Sequence, residues 1–178
     1  MQHGYLDSHH QHQLEAFFNA VFSASEGADE GRLIAELAGQ LAAAIDDHDV
    51  IGFATFEGDT IIAAIFLTRL RFAEPVDVFM LAPVAVSTAQ QGRGIGQSLI
   101  NHALDQLRAR SVSVVVTYGD PGYYARVGFE PLAESVVQAP LPLSMPQGWL
   151  GQSLSGASVP TIDGRPACVA AFNNPAYW

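Results

Sequence analysis

Lysine is missing from this sequence altogether: its eight basic residues are all arginine. A Schiff-base enzyme, a Walker A phosphate loop and the strand lysine of a protein kinase each need that amine, so all three are excluded. Phosphate, if bound, must be held another way. Cysteine is nearly missing as well. Cys168 stands alone, so no intramolecular disulfide can form, and a reducing cytoplasm is the expected home. Long apolar runs are also lacking. The longest, such as 61–67 and 78–86, fall well short of the ~20 residues that a membrane-spanning helix needs. Residues 1–30 carry histidines and acids where a signal peptide would carry basic residues and then an apolar core. No membrane partner is expected.

What is present is acid, unevenly placed. Residues 1–77 hold 13 acids and 3 arginines, whereas residues 78–178 hold 5 of each, so the formal charge of −10 belongs to the first part. Such a field repels nucleic acid, which is not expected as a partner, and draws cationic or amine-bearing molecules. The plainer reading is a solvated acidic face. With 49% hydrophobic residues in 178, the chain is expected to form a single domain, 1–178, able to bury about 70% of its unfolded surface.

Leu14, Phe17, Phe18, Val21 and Phe22 recur at helical spacing after Asp7 and Ser8, either of which suits a cap. A second amphipathic helix is expected after Gly31, with Leu33, Ile34, Leu37, Leu41 and Ile45 on one face, ending in the turn Asp46, Asp47. Residues 50–56 and 60–70 are rich in β-branched and aromatic residues and flank Glu57, Gly58 and Asp59, which predicts an antiparallel hairpin. A third long strand, 78–86, contains Pro83, which has no N–H to donate, so a bulge or a parting from its neighbour is expected there. The best helical pattern runs from Gly94 to about Arg110, and 113–118 is a short apolar strand, giving a strand, helix, strand unit with a parallel pair. After Phe129 the chain is proline-rich, with strands expected only near 136–139 and 167–172.

The chemistry is concentrated between strand and helix, in Gln91, Gly92, Arg93, Gly94, Ile95 and Gly96. Glycines let a ligand approach the backbone, and the first helical turn presents unpaired N–H groups and a positive dipole end. An anion belongs there, pyrophosphate being the obvious candidate, with Arg93 adding a charge-assisted bond in place of lysine. A dinucleotide site would need Gly-x-Gly-x-x-Gly, but position 97 is Gln and position 99 is Leu.

Gln91, Gly94 and Gly96 match the Gln/Arg-x-x-Gly-x-Gly/Ala signature of the GNAT superfamily of N-acetyltransferases, which the chain resembles. Residues 119–129 resemble that family's tyrosine-x-x-x-Gly-Phe element after the fifth strand, in a Gly-Asp-Pro-x-Tyr-Tyr form similar to a bacterial subgroup of predicted acetyltransferases. The resemblance covers about residues 30–178 and divides them into a core, about 30–132, and a C-terminal extension, about 133–178. It implies an α/β fold: a mixed, mostly antiparallel sheet of about six or seven strands, flanked by helices, with a splayed fourth and fifth strand. It implies acetyl-CoA as acyl donor, with no metal, and a small-molecule or peptide amine as acceptor. A homodimer is compatible with it. The free backbone of Leu81, Ala85 and Val86 would take the pantetheine arm, the 91–96 loop the pyrophosphate, and Gly119, Tyr123 and Arg126 the other wall.

Amide formation needs a proton for the departing thiolate, whose conjugate acid has a pKa of about 8.5. Tyr124, four residues before Gly128, is the expected acid; packing alone is the plainer role for it, and for Tyr123. No base is assigned, since strand 78–86 has no acid; the nearest are Glu74 and Asp77, the latter equally suited to capping a turn. His9, His10 and His12 are expected to lie on an exposed N-terminal segment, without a metal, and His48 and His102 in a loop and on a helix surface. Residues 151–156 lack the glycine of a hydrolase elbow at Ser155 and are expected to be a loop, with Trp149 and Leu150 covering core. Two further readings stay open: a CoA-binding module without catalysis, acting as a sensor or interaction partner, and an acyltransferase for hydroxyl groups.

Overall fold

A computed structural model describes residues Met1–Trp178. Seven strands appear along the chain: β1 Gln2–Tyr5, β2 Val50–Glu57, β3 Thr60–Leu70, β4 Val78–Val86, β5 Val114–Tyr118, β6 Glu130–Pro131 and β7 Trp149–Ser153. The helices are α1 Gln11–Glu26, α2 Ala28–Ala43, α3 Ile95–Ala109 and the single turn α4 Pro121–Tyr124. The sheet order is β1-β2-β3-β4-β5-β7-β6. It is mixed, since β4 and β5 run parallel while the pairs β1/β2, β5/β7 and β6/β7 are antiparallel. The residues group into two compact units, Met1–Leu67 with Pro83–Ala103, and Thr68–Ala82 with Leu104–Trp178.

In the first unit, Asp7 accepts from His9 N–H and closes a capping box with His10, so the helical segment starts where the acid at position 7 suggests. Its buried face, Leu14, Phe18 and Val21, is the one the spacing predicts, and the Phe18 ring lies tilted against Phe66 of β3 at 5.9 Å between centroids. Each such side chain contributes roughly 1.5–3 kcal/mol by leaving water. Gly31 is not a boundary. The second helix begins at Ala28 and carries Gly31 and Gly39 buried within it. A Cβ at Gly31 would fall 1.8 Å from Ser23 Oγ, and one at Gly39 would fall 2.2 Å from Glu15 Oε1. These glycines are there because α1 and α2 approach too closely for any side chain. The N-terminal segment is also more ordered than its composition suggests: β1 pairs with β2 from Gln2↔Phe56 to Tyr5↔Phe53. His9 and His12 are nevertheless exposed, as expected. His102 is not a bare surface residue, since its ring lies 5.1 Å from His3 and 5.3 Å from Phe53. His3 in turn bonds Thr55 and Ser98, both at 2.9 Å.

In the second unit, residues 151–153 correct the expectation of a loop over 151–156, since they continue a strand that begins at Trp149. This strand, β7, pairs with the whole of β5, from Val114↔Ser153 to Tyr118↔Trp149. Gly151 hides the strand in the sequence, yet is needed there: a Cβ would meet Leu132 Cδ2 at 2.8 Å. Trp149 and Leu150 are buried as expected, and the indole of Trp149 donates to Val137 C=O at 2.9 Å. The strands expected near 136–139 and 167–172 reduce to isolated bridges, Val137↔Ile162 and Arg71↔Ala167, with a 3-10 turn at Ala170–Phe172. Val137, Ala139 and Phe172 are the side chains that these stretches bury, without building a ladder.

Candidate acyl-CoA site

After β4, Thr88–Gln90 make a 3-10 turn, and Gln91 is extended at φ −64, ψ 156. Gly92 and Gly94 then both adopt φ +76, which side chains rarely accept, and a Cβ on either would meet nothing within 4 Å. The turn itself demands glycine, and the space above it is open. Ser98 N–H donates to Gly94 C=O at 2.9 Å, so the N–H groups of Ile95, Gly96 and Gln97 precede the first helical donor and have no acceptor within the helix. Backbone donors around left-handed residues, at the positive end of a helix, make an anion concavity. Gln91 Nε2 donates to Val86 C=O at 3.1 Å, tying the loop to the end of β4. Arg93 is exposed and bonds the amide oxygen of Gln90, a neutral partner that leaves its charge uncompensated. Ile95 and Gly96 are buried, and α3 packs through them.

The parallel ladder between β4 and β5 covers only Val78↔Val114 to Met80↔Val116, although β4 runs on to Val86 and β5 to Tyr118. At Leu81 a side chain replaces the ladder: Thr117 Oγ1 donates to Leu81 C=O at 2.7 Å. Pro83 thus lies past the last residue of β4 that pairs with β5, and on that side its missing donor leaves no ladder bond unmade. Leu81 and Ala85 are buried and Val86 is half-buried.

Beyond β5, Asp120 caps α4 by accepting from Gly122 N–H, and Pro121 starts the turn. This turn presents Tyr123 and Tyr124 edge-on to each other at 5.0 Å, with Phe129 at 5.7 Å from Tyr124. Both phenols are raised in pKa. Burial is the main cause at Tyr123, opposed by the nearby Arg126 guanidinium, while Arg126 itself is exposed. Tyr124 is pushed up to about 12, chiefly by burial of its hydroxyl, against a hydrogen bond with Thr117. The Thr117 hydroxyl thus engages both Leu81 C=O and the Tyr124 phenol. Gly119 backs directly onto the Tyr124 ring, for a Cβ there would lie 2.8 Å from Cε2. Within this unit the structure therefore brings together Leu81, Gly119, Tyr123 and Tyr124. No motif marks Thr117, although one hydroxyl in the run Val114, Val115, Val116, Thr117 is its signal.

The acids weighed as bases are engaged elsewhere. Asp77 pairs with Arg69 at 2.6 Å, and that guanidinium also lies 4.7 Å from the centre of the Phe79 ring. Glu74 accepts from Asp163 N–H at 3.0 Å.

A mixed sheet with a parallel pair that parts, a glycine turn and a helix in this order make the GNAT fold. The model of the Acetyltransferase (GNAT) family matches residues 6–129, and the chain belongs to that family. It is 35% identical over 121 residues to the uncharacterized N-acetyltransferase YjhQ of Escherichia coli K12, a match that covers 65% of this chain and 66% of YjhQ. It is 33% identical over 97 residues to the uncharacterized N-acetyltransferase YhbS of the same strain, covering 51% of this chain and 48% of YhbS. The chain thus spans just under two thirds and about half of these relatives. The crystal structure of E. coli YhbS in complex with CoA superposes with a TM-score of 0.77 at 22% identity, over 97% of this chain and 92% of that one. A GNAT acetyltransferase of Brucella melitensis in complex with acetyl-CoA gives 0.69 at 25% identity, over 97% of each chain.

Proposed function

We propose that this protein is an acyl-CoA-dependent N-acetyltransferase that moves an acetyl group from acetyl-CoA to a primary amine, with a cationic acceptor favoured by the acidic first part of the chain. The observation that carries the reading is the 91–96 turn, where two left-handed glycines and the first turn of α3 offer backbone donors under open space. In this reading the loop and Arg93 hold the pyrophosphate, the 81–86 backbone holds the pantetheine arm, and Gly119, Tyr123 and Arg126 line the far wall. The relatives' names and the CoA and acetyl-CoA of the structural neighbours support it.

Tyr124 is the proton donor of this proposal, with a specific limit. A pKa of about 12 keeps the proton on oxygen at every working pH. Complete transfer to a free thiolate, whose conjugate acid is near 8.5, would be uphill by roughly 3.5 units, or ~5 kcal/mol. The phenol therefore acts by hydrogen-bonding the sulfur as the C–S bond breaks. The proton that finally makes the thiol is the one the attacking nitrogen loses, so the phenol keeps its own throughout. With Asp77 and Glu74 occupied, that nitrogen's proton leaves through water.

A screen of amines with acetyl-CoA, read by thiol release and product mass, tests the reaction class. N-acetyl products are expected. Products acetylated only on oxygen would support the hydroxyl acyltransferase instead, and CoA binding without turnover of any acceptor would support a sensor.

A further inference from the structure

A cavity of about 520 Å³ opens at the C-terminal end of β5, and the proposed donor-binding loop takes no part in lining it. Its volume is that of a small-molecule site, for which roughly 300–1,000 Å³ is usual. Three rings form its walls, Tyr118, Tyr177 and Trp178, together with Met145, Ser144 and Asp120. The rings are held in place. Tyr118 stacks on Trp178 at 6.2 Å and 17°, its hydroxyl accepts from Met145 N–H at 2.7 Å, and Trp178 Nε1 donates to Phe172 C=O at 2.9 Å. Asp120 is the one carboxylate among the side chains that line the cavity, and no arginine lines it. Its Oδ1 is committed to the α4 cap, which fixes the carboxylate and leaves the acceptor capacity of Oδ2. Gly119 and Asp120 are shared walls: Gly119 carries the Tyr124 ring on its other side, and Asp120 C=O accepts from Tyr124 N–H at 3.2 Å.

Resting on the acetyl-transfer reading above, we infer that this cavity is the acceptor site and that it selects a primary monoamine with an apolar, ring-bearing body. The body lies against Tyr118, Tyr177 and Trp178, and the ammonium is drawn to Asp120 at the wall shared with Tyr124. Aromatic faces and one carboxylate are the chemistry that recognises an organic cation. A polyamine would leave its other charges against rings with no counter-ion, so chains such as putrescine are disfavoured. The site thereby narrows a general attraction for cations to one class of amine.

Two variants and one probe test this. Asp120→Asn keeps the helix cap, for which asparagine is as good, and removes the charge. Ala176→Trp fills the cavity. With 2-phenylethylamine as acceptor, KM is expected to rise about tenfold or more in D120N, and turnover to be lost in A176W, while the calorimetric Kd for acetyl-CoA stays within twofold in both. Putrescine is expected to be the poorer acceptor for the wild type. Binding of 2-phenylethylamine is also read without turnover, from the fluorescence of Trp149 and Trp178, and saturable quenching absent from A176W is expected. An unchanged amine KM in both variants, a variant whose acetyl-CoA affinity moves instead, or no saturable quenching would overturn the assignment. If acetyl-CoA fails to bind while the quenching persists, it is the acetyl-transfer reading that falls and the cavity remains an amine site.

Discussion

Thr117 shows how much one hydroxyl decides here. It is fully buried, donates to the carbonyl of equally buried Leu81 and bonds the Tyr124 phenol, so it joins the place where β4 and β5 part to the proposed acid. Thr117→Val removes both bonds while keeping the shape, and stranding a buried carbonyl costs about 1–3 kcal/mol. Denaturant unfolding should show that loss, and Thr117→Ser should restore most of it; equal stability of wild type and T117V would contradict the network. Tyr124→Phe is expected to lower kcat by about 10²-fold, the lower end for a positioned proton donor, with KM for acetyl-CoA little changed. His3 carries a pH prediction. Burial first, and then the neighbouring His102, lower its pKa below 6.5. A depressed histidine favours the neutral form when folded, so its contribution is fully present above pH 6.5 and fades as pH falls through the folded value. NMR titration should place His3 below 6.5, with faster amide exchange in β1 on the acid side; a midpoint at or above 6.5 would refute it.

At the scale of elements, the legible parts were those with a full period. The apolar face of α1, the long β3 and β4, and α3 appear where spacing predicts them. Failures came where glycine serves packing. Gly31 marks a close helix crossing rather than a helix start, and Gly151 sits in the middle of a strand because Leu132 leaves no room for a side chain. Neither neighbour is near in sequence, so no local pattern distinguishes these glycines from turn glycines. β1 was invisible for another reason: Gln2, His3 and Gly4 have no apolar alternation, and their pairing partner lies in β2. Gly31→Leu should therefore destabilise the protein by about 1–3 kcal/mol through overpacking, although leucine is the better helix former. A melting temperature unchanged or raised would show that α1 and α2 can simply move apart.

Across the whole molecule, the glycine turn before α3 was readable because an unusual backbone leaves a compositional trace, and the charge division was readable by counting. The cavity was not, since it gathers Tyr118, Met145 and Trp178 from distant parts of the chain. The uneven charge carries its own expectation. Between about 0.01 M and 1 M salt the screening length falls from ~30 Å to ~3 Å, so KM for a cationic amine should rise severalfold, and a flat response would mean that the acids merely solvate the surface. Calorimetry with CoA, on the wild type and on Gly94→Glu, is the most direct test of the central claim. The variant puts a strained residue and a negative charge at φ +76 where a pyrophosphate is proposed. Measurable heat for the wild type and at least ~100-fold weaker binding for the variant, about 2.7 kcal/mol, with its cooperative melting retained, is the predicted result. A folded wild type that gives no heat, or a variant that binds CoA equally well, would contradict it.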